Sequence, residues 1–163
     1  MDIKQSFAPV VAPSTRVLIL GSLPSDASLA AAQYYAHPRN QFWPLIGNVL
    51  NLPDFAALPY PTRLEQLLTH GIGLWDIVAQ AHRAGSLDNA IRHVERNDLA
   101  QLIAHLPELR GVAFNGQTAA RAAREVEQIG LPWLALPSSS PAYTRPFVEK
   151  REQWVLLRPW LGE

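Results

Sequence analysis

Apolar and polar positions alternate between two kinds of segment along this chain. Arg16-Val17-Leu18-Ile19-Leu20-Gly21 is a short unbroken apolar run stopped by glycine, the pattern of a strand buried on both faces of a parallel sheet. Further strands are predicted over 72–78, 111–115 and 133–136. Between them the spacing predicts helices. One covers 41–50, with Asn40 at its N-cap and Pro44 in or near the first turn. A second opens at Thr62-Arg63-Leu64-Glu65, which has capping-box spacing, and closes at Gly71. Others are expected over 87–93, over 98–106 with Asn97 as cap, over the alanine-rich 117–128 after a turn at Gly116, and over 147–160 with an interruption near Pro159. Strands alternating with helices imply an α/β fold, a three-layer sandwich with a central four-stranded parallel sheet flanked by helices. At 163 residues, without an internal repeat, the chain reads as a single domain with residues 1–15 as an N-terminal extension.

In such sheets ligands bind outside the carboxyl ends of the strands. Those ends carry Ser22 to Pro24, Asp76, Asn115 and the loop Pro137-Ser138-Ser139-Ser140-Pro141. From the first hangs Tyr34-Tyr35-Ala36-His37-Pro38-Arg39-Asn40-Gln41-Phe42-Trp43, whose mixture of aromatics, histidine, arginine and amides suits a site better than a core. The unusual chemistry therefore collects on one edge of the sheet.

Composition narrows the chemistry. Fourteen basic and fourteen acidic residues cancel, so any contact with nucleic acid must come from a local patch. There is no cysteine, which removes disulfides, thiolate metal sites and cysteine nucleophiles. No apolar run reaches membrane-spanning length and residues 1–15 lack the pattern of a secretory signal, so a cytoplasmic monomer without membrane contact is expected. Phosphate-loop, dinucleotide-turn, nucleophile-elbow and zinc-helix signatures are missing. Histidines at 37, 70, 82, 93 and 105 have no metal-ligand spacing, so no metal is expected.

Gly21-Ser22-Leu23-Pro24-Ser25, then Tyr35-Ala36-His37-Pro38-Arg39-Asn40-Gln41-Phe42-Trp43, then Leu136-Pro137-Ser138-Ser139-Ser140-Pro141 together resemble the uracil-DNA glycosylase superfamily. The Tyr-Ala-His-Pro-x-Asn-x-Phe-Trp segment is similar to the mismatch-specific uracil/thymine glycosylases, and the whole set is more similar to the hypoxanthine-DNA (deoxyinosine) glycosylase branch. The resemblance implies a monofunctional DNA glycosylase of base excision repair, acting on DNA that holds a deaminated base and using no cofactor. Most of the superfamily carries a water-activating Asp or Asn in the first motif, where this chain has Leu23. The uracil enzymes carry a histidine in the last motif, where Ser138 or Ser139 stands here. The hypoxanthine branch shares the first departure, and its catalytic asparagine maps to Asn40, with Asn115 as partner in reading the base. The same likeness places Tyr35 as the stacking aromatic. Ser22, Leu23, Pro24, His37 and Phe42 are expected around the base, and Ser138, Ser139, Ser140 and Arg145 on the DNA backbone.

The residue chemistry agrees with those roles without requiring them. Breaking an N-glycosidic bond builds positive charge on the sugar and negative charge on the departing base. An asparagine amide can position water and stabilise charge, but it is no useful base. Reaching the base requires flipping it into a pocket where a flat ring can stack on it. Each residue also has a plainer reading. Asn40 serves as a helix cap, His37 orders its loop, Asn115 satisfies a strand-to-helix turn, Asp76 is a structural strand end, and Trp43 packs the core. Arg121 and Arg124 suit a solvated helix face. A serine hydrolase using Ser138, Ser139 or Ser140 with His37, and a non-catalytic module stacking single-stranded or damaged DNA on its tyrosines, remain alternative functions.

Overall fold

The computed structural model describes residues 3–162. Four strands form the main sheet: β2 (Val17–Gly21), β3 (Ile72–Asp76), β6 (Gly111–Asn115) and β7 (Trp133–Leu136). Every neighbouring pair is parallel and the spatial order is β3-β2-β6-β7. Side chains of β2 alternate between the two faces, which explains why the run must be apolar throughout. Val17 and Ile19 join a core with Phe42, Leu45, Ile46, Leu67 and Trp154, whereas Leu18 and Leu20 join one with Leu99, Val112, Phe114 and Val126. The first core is closed by α2 (Phe42–Val49), α3 (Tyr60–Thr69) and α6 (Phe147–Trp154), and the second by α4 (Leu99–Ile103) and α5 (Ala123–Ile129). This is the expected three-layer α/β sandwich, its four strands where the apolar runs predicted them.

A second, three-stranded antiparallel sheet was not anticipated. It joins β1 (Ile3–Gln5), β4 (Val78–His82) and β5 (Arg92–Arg96) in the order β1-β4-β5. The expected strand over 72–78 breaks at Ile77, and the chain passes from one sheet to the other. The expected helix over 87–93 is instead a short 3-10 turn, Asp88–Ala90, running into β5. Every residue of β5 is exposed, so burial imposes no period on it, and ladder bonds to β4 decide its conformation. The N-terminal residues expected as an extension pair with β4 through β1 and touch β3 through a bridge from Val10 to Leu74.

Helix ends also shift for local reasons. No capping box forms at Thr62, because α3 starts at Tyr60 behind Pro59, with Pro61 in its first turn. Asp98, not Asn97, caps α4 by accepting from Gln101 N at 3.1 Å, and the Asn97 amide donates to Asp76 O at 2.7 Å instead. The helix expected over 117–128 begins as a 3-10 turn (Ala119–Ala122) before α5. The last helix changes to 3-10 geometry after Trp154, ahead of Pro159, and resumes as α7 (Arg158–Leu161). One short helix, α1 (Asp26–Ala31), was not foreseen; Ser25 caps it by accepting from Ser28 N at 3.1 Å.

The return of α7 to the sheet rests on Gly111 at the start of β6. A Cβ there would stand 2.6 Å from Cε2 and Cζ2 of the Trp160 ring. Gly111→Ala is therefore expected to push α7 off the sheet edge and to cost about 1–3 kcal/mol as an overpacking defect, read as a lowered urea midpoint at unchanged slope.

Candidate active site

At the carboxyl ends of the strands lies a cavity of about 260 Å³, lined by Gly21 to Ser25, Tyr34, Tyr35, Asn40, Asp76, Asn115 and Ser138 to Ser140, with Ser86, Leu87 and Asp88 at one side. Its floor is built around Gly21. A Cβ at that residue would stand 2.6 Å from Asp76 Oδ1 and 2.9 Å from the Tyr35 hydroxyl oxygen. The missing side chain lets a carboxyl from β3 and a phenol from the aromatic segment lean over the end of β2.

Tyr35 adopts a left-handed backbone with φ of 54°. Its ring stacks on Phe42 at 4.0 Å between centroids and 15° between planes. The Trp43 indole donates to the carbonyls of Tyr34 and Tyr35, both at 3.2 Å, and so holds the aromatic pair from below. Tyr34 itself is fixed through its hydroxyl to Ala8 O at 2.9 Å. Burial, then the nearby Asp76, raises the Tyr35 phenol far above its ordinary range, and the Asn115 amide close by acts in the other direction. Phe42, expected against the base, is fully buried behind Tyr35 and does not reach the cavity. Trp43 packs the core, as its helical spacing suggested.

Asn40 lines the cavity one residue before the cap position of α2, which Gln41 occupies without a side-chain bond. The capping bond comes from Asn40, whose Oδ1 accepts from Phe42 N at 2.9 Å. That bond fixes which end of the amide is oxygen and leaves both N–H donors uncommitted. His37 does not line the cavity. Its Nδ1 accepts from Arg39 N at 3.1 Å and its carbonyl from Asn40 N at 2.9 Å, so it orders the turn that presents Asn40.

Asn115 does more than satisfy its own turn. Its Nδ2 donates to Ser139 Oγ and its Oδ1 accepts from Ser139 N, both at 2.9 Å. Ser139 in turn accepts from Gln41 N at 2.9 Å through its carbonyl, which ties the serine loop to the start of α2. Ser138 Oγ accepts from Ser140 N, and Ser140 Oγ from Ala142 N, each at 3.1 Å. Among the described residues no hydrogen bond joins His37 to these serines, and that removes the geometry a serine hydrolase would need. Arg145 is exposed and lies over the Tyr143 ring, 5.7 Å from its centroid, outside the cavity lining. Buried Lys150 braces the loop from behind, donating to Ser140 O at 3.4 Å, and burial lowers its pKa.

The charged side of the cavity was largely missed by sequence reasoning. Asp76 is 3% exposed and its Oδ2 is shielded from water without a hydrogen-bond partner. Burial, then Asp88, pushes its carboxyl up to about 7, and Arg83 opposes the shift. Asp88 accepts from Ser22 Oγ at 2.7 Å. Arg83, fully buried, spends its bonds on main-chain carbonyls, Nε on Gly85 O at 2.7 Å and Nη2 on Pro24 O. Asp88 and Arg83 arrive from the segment linking β4 and β5, where a different secondary structure was expected, and no motif marked them. Asp76 had a visible signal, an acid closing an apolar strand. Among the described residues no three His, Asp, Glu or Cys side chains gather closely enough to hold a metal ion, and no helix is long and apolar enough to cross a membrane.

A carboxyl whose folded pKa is about 7 binds its proton more tightly in the folded chain than in the unfolded one. Its contribution to stability is present below the unfolded value, declines as pH rises from about 4 to about 7, and is flat above. Asp76→Asn, which cannot ionise, should gain on the wild type across that window by up to about 4 kcal/mol, measured as the difference in urea midpoints at the two ends.

Comparison with known proteins agrees with this geometry. The profile of the uracil DNA glycosylase superfamily matches residues 8–161. A protein of Methanosarcina barkeri named hypoxanthine DNA glycosylase is 38% identical over 152 residues, covering 93% of this chain and 96% of the relative. One of the same name from Methanosarcina acetivorans is 40% identical over 154 residues, with the same coverage of 93% and 96%. A solution NMR structure from Methanosarcina acetivorans, of a protein provisionally assigned as a uracil DNA glycosylase, superposes with a TM-score of 0.89 at 36% identity, over 99% of this chain and all of that one. With the sheet, the strand-end cavity and the motif order all in agreement, the chain belongs to the uracil DNA glycosylase superfamily.

Proposed function

We propose that this protein is a monofunctional DNA glycosylase that hydrolyses the N-glycosidic bond of deoxyinosine, releasing hypoxanthine and leaving an abasic site. The relatives named for that activity align over nearly the whole chain. The observation that carries the reading is the meeting of Tyr35 and Asn40 from the aromatic segment with Asn115 from the end of β6 at one cavity. A flipped base entering there meets the Tyr35 ring, which Phe42 supports from behind. Asn40 is the positioning amide. With Oδ1 anchored to Phe42 N, its free N–H groups and remaining lone pair face the cavity and orient a water on the sugar carbon. Asn115 keeps one N–H and one lone pair for the base after pairing with Ser139.

The hydroxyls of Ser138 and Ser140 accept from main-chain N–H groups and retain their own hydrogens, which suits phosphate oxygens beside the flipped nucleotide. Lys150 is outside the cavity lining, which supports hydrolysis over lyase chemistry. The cavity is complete within one chain, in keeping with action as a cytoplasmic monomer.

The experiment is base release from duplex oligonucleotides holding one deoxyinosine, deoxyuridine, deoxyxanthosine or G·T mismatch, followed by alkali cleavage. Deoxyinosine should be the preferred substrate, and release confined to uracil would transfer the reading to the mismatch-uracil enzymes. Asn40→Ala and Asn40→Ser should each lower release by about 100-fold or more. The serine retains an oxygen able to accept from Phe42 N, so its stability should stay near that of wild type, whereas alanine should lose about 0.5–2 kcal/mol. Wild-type release from both variants would remove Asn40 from the chemistry.

A further inference from the structure

Asp76 has no task in the mechanism above, yet it stands at the centre of the cavity floor. It is the last residue of β3, paired in register with Gly21, and the neighbouring main chain is fixed by Ile77 N to Gly21 O at 2.8 Å and Val78 N to Ser22 O at 3.1 Å. Buried carboxyl groups in folded proteins are normally hydrogen-bonded. The Ser22 hydroxyl goes to Asp88 and two of the Arg83 nitrogens go to main-chain carbonyls, while the Tyr35 hydroxyl and Arg83 Nη1 are, like Asp76 Oδ2, buried without a partner. A rigid, buried carboxyl that lines a cavity and leaves its Oδ2 without a partner is arranged for a ligand.

We propose that Asp76 is a catalytic acid, whose carboxyl donates a hydrogen bond to the extruded base and passes its proton to that base as the glycosidic bond breaks. This rests on the glycosylase reading above. The sign of the charge decides between the two forms of the group. When the bond between the sugar carbon and the base nitrogen breaks, its electron pair stays with the base. An ionised carboxylate at the floor would repel that growing charge, whereas a neutral carboxyl stabilises it. The proton leaves Asp76 for a ring heteroatom of the base, which departs neutral. Water bonds to the sugar carbon and releases a proton to solvent, and solvent protonates Asp76 again once the base has gone.

The surroundings keep the proton available near neutral pH. Burial and Asp88 favour the neutral acid, Arg83 opposes them, and the phenols of Tyr34 and Tyr35 face the carboxyl in uncharged form. A bound base excludes more water and brings phosphates near, and both effects push in the same direction as burial.

The test is single-turnover release of hypoxanthine from a deoxyinosine duplex, measured across pH for wild type, Asp76→Asn and Asp88→Asn. Wild type should hold a plateau at acid pH and fall above about neutrality, towards tenfold per unit. Asp76→Asn should lie about 100-fold below wild type on the plateau, should lack the falling limb, and should approach wild type at high pH. Asp88→Asn removes the like charge and should move the limb to lower pH by about one unit or less. Circular dichroism and binding to the same duplex separate these effects from misfolding. A rate that rises with pH would make Asp76 an ionised acceptor of a base N–H, and a flat profile or an unchanged limb in Asp76→Asn would make it structural; either overturns the proposal alone. Wild-type protein that releases no base at any pH overturns the glycosylase reading and this proposal together.

Discussion

The close approach at Gly21 is the constraint on which the site depends. Parallel pairing sets β2 and β3 side by side with Gly21 opposite Asp76. Any side chain at that point would occupy the space of the Asp76 carboxyl and the Tyr35 hydroxyl. Because the space is open, Tyr35 can turn inward with a left-handed backbone, lay its ring on Phe42 and leave its carbonyl for the Trp43 indole. A conformation that costs about 1–3 kcal/mol in isolation is thus held by packing on one side and hydrogen bonding on the other. The cavity exists because those contacts over-determine the tyrosine.

A second linkage gathers the remaining parts. Two hydrogen bonds join Asn115 to Ser139, and Ser139 accepts from Gln41, so the ends of β6 and β7 and the start of α2 form one continuous network. Trp154 adds a bond from α6 to Pro137 O at 2.9 Å. Two amides distant in sequence are thereby placed in fixed orientations, with oxygen and nitrogen assigned by their main-chain donors. That is preorganisation in a literal sense, since the dipoles need not turn when charge develops.

The main sheet was legible because burial on both faces demands unbroken apolar runs, and Val17 to Leu20 and Gly111 to Phe114 display that demand directly. The small sheet was not, because Arg92 to Arg96 are all exposed and their conformation follows from pairing with β4, a long-range fact with no local period. Site residues on loops that touch the cavity, Tyr35, Asn40, Ser138 and Ser139, were recognisable by resemblance. His37 and Phe42 belong to the aromatic segment, but adjacency in sequence did not translate into access to the cavity: one faces the turn and the other the core. Arg145, expected on the DNA backbone, is exposed over the ring of Tyr143, which lines the cavity. Asp88 and Arg83 carried no signal, because their importance comes from the fold bringing them beside Asp76.

The substitution of Leu23 in the first motif takes on a different meaning with the neighbouring strand in view. Leu23 is 7% exposed and packs with Leu18, Leu20 and Val78, so the position has become part of the second core as well as a wall of the cavity. A polar group there would be poorly solvated. Polar groups of the cavity stand where main-chain partners already hold them, Asn40 through Phe42 N and Asp76 through the register with Gly21. An apolar residue in the cavity wall lowers the local dielectric. The same dryness that raises the Asp76 pKa strengthens every hydrogen bond the cavity offers to a developing charge.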